Sequence, residues 1–215
     1  MDDWKDYLAA RSSGIKKVWT TKLNERVRHI TSLNEETLER YVEALFTAYF
    51  DKGQNAIPIQ HPVIWNKVLP VLSRKVKEAS PKYRLWAYKA YGFAGVFELM
   101  GNDPKQILRN ILEEDNENSE ACQLLMEDIL NSLDYAMHEL PDVLLVKEDV
   151  CLAMIAECRG LIADNAQLDS CKSRFGLDLG YYQHVLHAWI EYRSVAGEDD
   201  FDDWLESQGN SKLAY

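Results

Sequence analysis

Apolar residues recur every three or four positions along most of this chain, which is the spacing of one helix face rather than of a strand. The clearest run follows Asn34 and consists of Leu38, Tyr41, Val42, Leu45, Phe46 and Tyr49. These positions form one apolar stripe on a helix, and Gly53 then supplies a helix stop. The same periodicity predicts further helices, including one over residues 179–195.

Helix starts are marked by capping chemistry as well as by pattern. Ser80-Pro81 and Asp103-Pro104 each place a side-chain acceptor before a proline, a combination typical of the first turn of a helix. Alternating β-branched runs and Asn-Gly or Asp-Gly turns are absent from the sequence. We therefore predict an all-α protein of about ten helices, stacked as antiparallel pairs in a compact bundle or a short α-solenoid.

One internal match appears when the chain is shifted by 35 residues. The shift aligns Leu72, Val76, Ser80-Pro81 and Ala90 with Ile107, Ile111, Asp115-Asn116 and Leu125. Residues 72–126 thus resemble the junction between tetratricopeptide-type repeats, whose period is about 34 residues. The resemblance implies stacked antiparallel helices and a role in binding other proteins.

Composition and cysteine spacing indicate a cytoplasmic protein. The longest apolar run, residues 150–156, is far shorter than the roughly 20 residues that a membrane helix needs. The first residues lack the basic start and apolar stretch of a secretory signal. The four cysteines form no C-x-x-C pair, so we expect reduced thiols packed in helices.

Charge is distributed unevenly along the chain. Residues 1–100 carry 16 Lys+Arg and 11 Asp+Glu, whereas residues 101–215 carry 8 and 24. Such an imbalance creates a field that attracts oppositely charged partners. We expect residues 1–197 to form one all-α domain, either as one body or as two lobes that meet near residue 101. An acidic segment, residues 198–215, follows, either docked or flexible.

The acidic half points to a basic protein partner. The absence of catalytic motifs favours a non-enzymatic protein, and we expect an acidic inhibitor or adaptor, similar in manner to bacterial immunity proteins that neutralise a toxin. The predicted charge contacts are Glu113, Glu114, Asp115, Glu117, Asp199, Asp200, Asp202 and Asp203. Phe201 and Trp204 are candidate anchors if the segment detaches, although their spacing equally fits a short helix that docks on its own domain.

A nucleic-acid binder is the first alternative. Residues 67–89 hold seven Lys+Arg against one Glu, with aromatic residues interleaved. Cations beside rings are typical of single-strand binders. The rings at Tyr83, Trp86 and Tyr91 have roughly helical spacing, however, and the sequence pI is near 4.9. Both features favour core aromatics beside a solvated basic face.

A metal-dependent helical enzyme is the second alternative. His184, His187 and Glu191 would lie on one face of the predicted helix, and Asp134 and His138 could complete a metal site from another helix. The Glu-x-x-His motif of helical di-iron proteins does not occur in the chain. The sequence also lacks G-x-G-x-x-G, G-x-x-x-x-G-K-[ST], G-x-S-x-G and H-E-x-x-H. We therefore expect no cofactor.

Overall fold

The computed structural model describes residues 4–101, 103–164, 172–195 and 200–207. It confirms the all-α prediction, because this part of the chain holds eleven α-helices packed on one another and no strand. The chain divides into two compact units, Met1–Ile107 and Leu108–Tyr215. The division falls within a helix. None of the described helices has the length and apolar composition needed to cross a membrane.

The first unit is built from six short and medium helices. They are α1 (Lys5–Ser12), α2 (Lys16–Ser32), α3 (Glu35–Phe46), α4 (Pro62–Lys77), α5 (Pro81–Lys89) and α6 (Phe97–Met100). A π-helical turn, Thr47–Asp51, continues α3. Helix α7 (Lys105–Glu114) contains the boundary between the units. The second unit continues with α8 (Ser119–Met137), α9 (Glu148–Asp164), α10 (Lys172–Val195) and α11 (Phe201–Ser207).

Side-chain caps explain where several helices begin. Asn34 Oδ1 accepts a hydrogen bond from Thr37 N at 2.9 Å, and Asn118 Oδ1 accepts one from Ala121 N at 3.0 Å. Helix α5 begins at Pro81 as predicted, but the Ser80 side chain makes no capping bond. Pro81 therefore favours the start of α5 through its fixed φ angle, without a side-chain cap from Ser80.

Helix α10 begins seven residues before the predicted residue 179. Two glycines, Gly176 and Gly180, weaken the helical signal because glycine is a poor helix former. Phe175 and Leu179 are both buried in the second unit. Packing of these side chains stabilises the first turns of α10, which local propensity alone does not favour.

Aromatic rings form the centre of the first unit. Trp86 is only 1% exposed, and its ring lies 5.3 Å from that of Phe46 and 5.0 Å from that of Tyr83 in edge-to-face geometry. Trp86 Nε1 donates to Asp51 Oδ1 at 2.9 Å, so its polar atom is satisfied. The interleaved aromatics of residues 67–89 are thus largely core residues.

Three long helices form the centre of the second unit. Helices α8, α9 and α10 contact one another, and α8 contributes a fully buried face that includes Leu125, Ile129 and Leu133. Trp189 packs at the edge of this core and donates to the carbonyl of Pro141 at 3.1 Å. Elsewhere on α8, the side chains of Gln123, Asn131, Asp134 and Tyr135 are exposed.

Candidate functional site

The turn between α7 and α8 is an exposed acidic loop. Glu113, Glu114, Asp115 and Glu117, which the sequence analysis proposed as charge contacts, are all exposed. Asp115 has an internal role as well, because its Oδ1 accepts from Glu117 N at 3.2 Å and its Oδ2 from the Asn118 amide at 3.5 Å. Asp115 therefore shapes the turn, while the glutamates extend from it into solvent.

The C-terminal acidic cluster is only partly within the described residues. Asp199 and the Asp202 side chain lie outside them, whereas Asp200 and Asp203 are exposed. Phe201 is 1% exposed and its ring lies 5.0 Å from that of Tyr192 on α10. Trp204 is half-buried, 5.8 Å from Tyr192. Helix α11 is thus docked on its own unit, and Phe201 is not available as an anchor in this conformation.

The proposed metal ligands do not converge. His184, His187 and Glu191 share one face of α10, and all three side chains are exposed. Asp134, which we considered as a ligand from another helix, instead accepts a hydrogen bond from Tyr182 Oη at 3.1 Å. Within residues that the structure describes, no group of three His, Cys, Asp or Glu side chains is arranged to hold a metal ion.

Three cysteines of the second unit that the structure describes, Cys122, Cys151 and Cys158, are buried. Burial is the main cause that raises the pKa of the Cys158 thiol to about 12, with smaller contributions from Glu157 and Cys122. Burial likewise raises the pKa of Cys151. A thiol must lose its proton to act as a metal ligand or nucleophile, so these positions are suited to packing.

The basic segment of the first unit is largely paired with acids of α3 and the π-helical turn. Arg74 contacts Glu35 and Glu39 at 2.7 Å each, and Lys75 lies 2.6 Å from Glu39. Further along the segment, Lys82 lies 3.0 Å from Glu43 and Lys89 lies 3.4 Å from Asp51. Cations that already have carboxylate partners are less available to phosphates, which weakens the nucleic-acid interpretation.

The second unit has few cations with which to pair. Leu108–Tyr215 holds seven Lys+Arg against 23 Asp+Glu, and residues 110–146 hold ten Asp+Glu and no Lys or Arg. Arg109 is fully engaged, since its Nε and Nη2 contact the two carboxylate oxygens of Glu157 at 2.7 and 3.1 Å. Acidic residues therefore outnumber basic residues by more than three to one in this unit.

A groove between α8 and α10 is lined in part by two carboxylates, Glu127 and Asp178. It has a volume of about 430 Å³ and is lined by Glu127, Leu130, Asn131, Arg174, Phe175, Asp178 and Tyr182. Arg174 lies 3.8 Å from Asp178, a long and exposed contact. Burial, followed by the hydrogen bond to Asp134, raises the pKa of Tyr182 to about 12, so its hydroxyl stays a donor fixed on Asp134.

Exposed apolar side chains accompany the groove. On α10, Leu177 is 76% exposed and Tyr181 is 41% exposed, and the Tyr181 ring lies 5.4 Å from that of Tyr182. On α8, Tyr135 is 63% exposed, directly after Asp134. Carboxylates, amides and tyrosine rings together form a surface that can accept hydrogen bonds from a cation and also stack on it.

Sequence reasoning did not identify this groove. Its two walls are separated by about 48 residues, as the Tyr182–Asp134 hydrogen bond shows, and neither wall contains a recognisable motif. The one available signal was the cation-free run of residues 110–146. No family model, no curated protein and no solved structure matches the chain, so its functional interpretation depends on its own residues.

Proposed function

We propose that this protein is a non-enzymatic inhibitor or adaptor that binds a basic protein through the acidic surface of Leu108–Tyr215. The observation that carries the proposal is the cation-free run of residues 110–146, which holds ten Asp+Glu and includes all of α8. Like charges at this density repel one another in the folded state. A partner that brings Lys or Arg side chains relieves this repulsion and gains hydrogen bonds.

The α8–α10 groove is the proposed recognition point. Glu127 and Asp178 provide carboxylate oxygens, and the Asn131 side chain provides an amide oxygen, which together suit a guanidinium or ammonium group. Leu177 and Tyr181 lie nearby on α10 and offer apolar contact area, since exposed tyrosines are frequent energetic centres of interfaces. The acidic turn at Glu113–Glu117 adds long-range attraction that raises the association rate.

Capture of a basic protein, compared across matched variants, tests the proposal. The bait is the tagged full chain, applied to nuclease-treated lysate of the native host in a series of salt concentrations. The groove variant combines Glu127→Gln, Asp134→Asn and Asp178→Asn. The control combines Asp6→Asn, Glu36→Gln and Glu98→Gln, three exposed acids of the first unit.

The wild type and the control are expected to retain one stoichiometric basic protein that elutes as salt rises, and the groove variant is expected to lose it. The partner should elute as salt rises because ions in solution screen the Coulomb attraction between exposed charged groups. Equal retention by the groove variant would exclude the groove. An empty capture with a folded bait would contradict the proposed function as a whole.

A further inference from the structure

The turn between α1 and α2 has the opposite charge to the acidic surface of the second unit. Residues 7–24 hold four Lys+Arg and no Asp or Glu. Residues 11–18, which we call the basic turn, are all exposed and include Arg11, Lys16 and Lys17. The basic segment that packs on α3 differs, because several of its cations lie beside carboxylates. The basic turn therefore presents its positive charge to solvent.

Exposed apolar side chains accompany these cations. Ile15 is 56% exposed and Val18 is 44% exposed. They lie three residues apart at the start of α2, so they share one side of the helix. A Cβ added at Gly14 would meet no atom of the described residues within 4 Å, so the space beside Ile15 is open. Cations and aliphatic side chains thus form one accessible surface.

Local stability does not explain the residues of the basic turn. Ile15 occupies the N-cap of α2, where Ser, Asp or Asn is preferred because its side chain can accept a hydrogen bond. Lys16 and Lys17 follow in the first turn, where the helix dipole favours acids over cations. Departures from such local rules are expected mainly at functional sites. The residues of the basic turn are therefore suited to contact with an acidic partner.

The second unit presents a surface of the opposite sign that is also partly apolar. Glu113 and Glu117 are exposed in the turn between α7 and α8, and Asp178 lines the α8–α10 groove. On α10, Leu177 is 76% exposed and Tyr181 is 41% exposed. Both surfaces are present at equal concentration in solution, because they belong to the same chain.

We propose that the basic turn binds the acidic surface of a second copy of this chain, so that copies associate head to tail. Opposite charges bring the two surfaces together, and the exposed apolar side chains of both are then removed from water. The contact is heterologous, because it joins two different surfaces. It rests on the proposed function in one respect, the availability of the acidic surface. A basic partner therefore displaces the second copy.

Sedimentation velocity of the full chain, from micromolar to millimolar concentration, tests the proposal. At low salt the weight-average sedimentation coefficient should rise with concentration. Added salt should return it to the monomer value, because ions screen exposed charges. An oligo-arginine peptide should do the same, since it competes for the acidic surface. A sedimentation coefficient that does not depend on concentration, as for a monomer or a contact within one chain, would overturn the proposal.

Two variants remove one surface each. The lysine variant, Lys16→Gln with Lys17→Gln, removes two cations of the basic turn, and the groove variant removes carboxylates of the second unit. Each variant alone should associate about tenfold more weakly, since each exposed ion pair contributes a factor of about three. Their equimolar mixture should regain association and stop at a dimer, because the intact basic turn of one variant meets the intact groove of the other.

A matched control removes the same amount of charge elsewhere in the first unit. Lys67→Gln with Lys77→Gln replaces two exposed cations of α4 and should associate like the wild type. Association that falls equally in this control and in the lysine variant would overturn the proposal, because net charge rather than the basic turn would then be the cause.

Ile15→Ser tests the apolar part of the contact without harm to the fold. Ser is a favourable N-cap residue, so the thermal unfolding midpoint should stay the same or rise. Association should nevertheless weaken by about threefold, because less apolar surface is buried between the copies. Unchanged association of this variant, together with that of the lysine variant, would overturn the proposal.

Two further outcomes separate this inference from its alternatives. A monomeric chain that pellets with phosphatidylserine vesicles, and does so less in the lysine variant, would assign the basic turn to a membrane surface and overturn the proposal. Capture of a basic host protein by a chain that does not self-associate would refute this inference and leave the proposed function intact. Self-association without such capture would support the inference and contradict the proposed function.

Discussion

The two units use the same helix packing but treat their charges in opposite ways. The first unit carries 17 Lys+Arg and 12 Asp+Glu, and its basic segment is held by carboxylates of α3 at 2.6–3.0 Å. The second unit has 23 Asp+Glu and only seven cations, one of which is held in a bidentate pair by Glu157. Charge in the first unit therefore contributes to its own structure, whereas the second unit carries a large excess of acidic over basic residues.

This contrast teaches that the sign of a charged segment does not by itself identify a binding surface. Residues 67–89 are strongly basic in sequence, yet Arg74, Lys75 and Lys82 lie beside acids of α3. The rings of Tyr83 and Trp86 are in the core. Residues 110–146 are acidic and have no cation of their own. The two segments therefore differ in composition as well as in sign, because basic residues 67–89 pack against acids whereas residues 110–146 contain no Lys or Arg.

The largest expected effect tests whether the aromatics of the basic segment are structural. Trp86→Ala removes a ring that is 1% exposed together with its hydrogen bond to Asp51. We expect a loss of about 3–5 kcal/mol in the free energy of unfolding, measured by urea denaturation. Trp204→Ala, at a half-buried position of the second unit, should cost about 1 kcal/mol. Equal losses would contradict the assignment of Trp86 to the core.

The second effect concerns alkaline pH in the second unit. The pKa of Cys158 is raised from its ordinary value of 9.0 to about 12 in the folded chain, so above pH 9 only the unfolded chain releases this proton readily. Stability should therefore fall between pH 9 and 12, by up to about 1 kcal/mol per pH unit. Hydrogen exchange read by mass spectrometry should locate the loss in α8 and α9. Cys158→Ala should flatten this dependence, and an unchanged slope would refute the account of the thiol.

A smaller effect should appear in the ion pairs of the first unit. The hydrogen bond from Lys75 is the main cause that lowers the pKa of the Glu39 carboxyl from its ordinary value of 4.5. This ion pair therefore stabilises the folded chain above pH 4.5, and the stabilisation is lost as the pH falls through the lower pKa of the folded state. Glu39→Gln should cost about 0.5 kcal/mol at neutral pH and less in high salt. The difference from wild type should vanish in acid. Glu25→Gln, in an exposed pair with Lys22, serves as the control.

The smallest effect has the opposite sign. Glu113 and Glu117 are exposed and make no ion pair with other described residues. Replacing both by Gln should leave the free energy of unfolding unchanged or raise it by roughly 0.3 kcal/mol, because like charges are removed. Association with a basic partner should slow. A loss of stability as large as that of Glu39→Gln would remove the distinction between the two units.

Much of the fold could be predicted because helix signals are local. Each of these signals acts within a few residues. Helix α3 begins directly after Asn34, and α4 and α5 begin at Pro62 and Pro81. The boundary between the units depends on contacts between residues that are distant in sequence, and a count of charges along the chain contains no information on these contacts. The sequence left open one domain over residues 1–197 or two lobes that meet near residue 101, and the structure divides the chain into two units within α7, after Ile107.

The candidate site could be predicted only in part. The exposed acids of the α7–α8 turn follow from composition, since charged residues beyond a helix end remain in water. The α8–α10 groove depends on the pairing of two distant helices, and the docking of Phe201 depends on Tyr192. The pairing of Arg74 with Glu39 likewise joins residues 35 positions apart. Such contacts leave no periodic trace in a single sequence.

The central claim is that the acidic surface of the second unit binds basic groups. Its most direct test is a titration of the isotope-labelled full chain with an oligo-arginine peptide, in which amide chemical shifts are measured at each step. The account predicts that shifts concentrate on α8, α10 and the acidic turn, with the largest changes near Asn131 and Asp178, and that added salt reverses them. Shifts distributed equally over the exposed acids of both units would contradict the claim that the second unit holds the available charge.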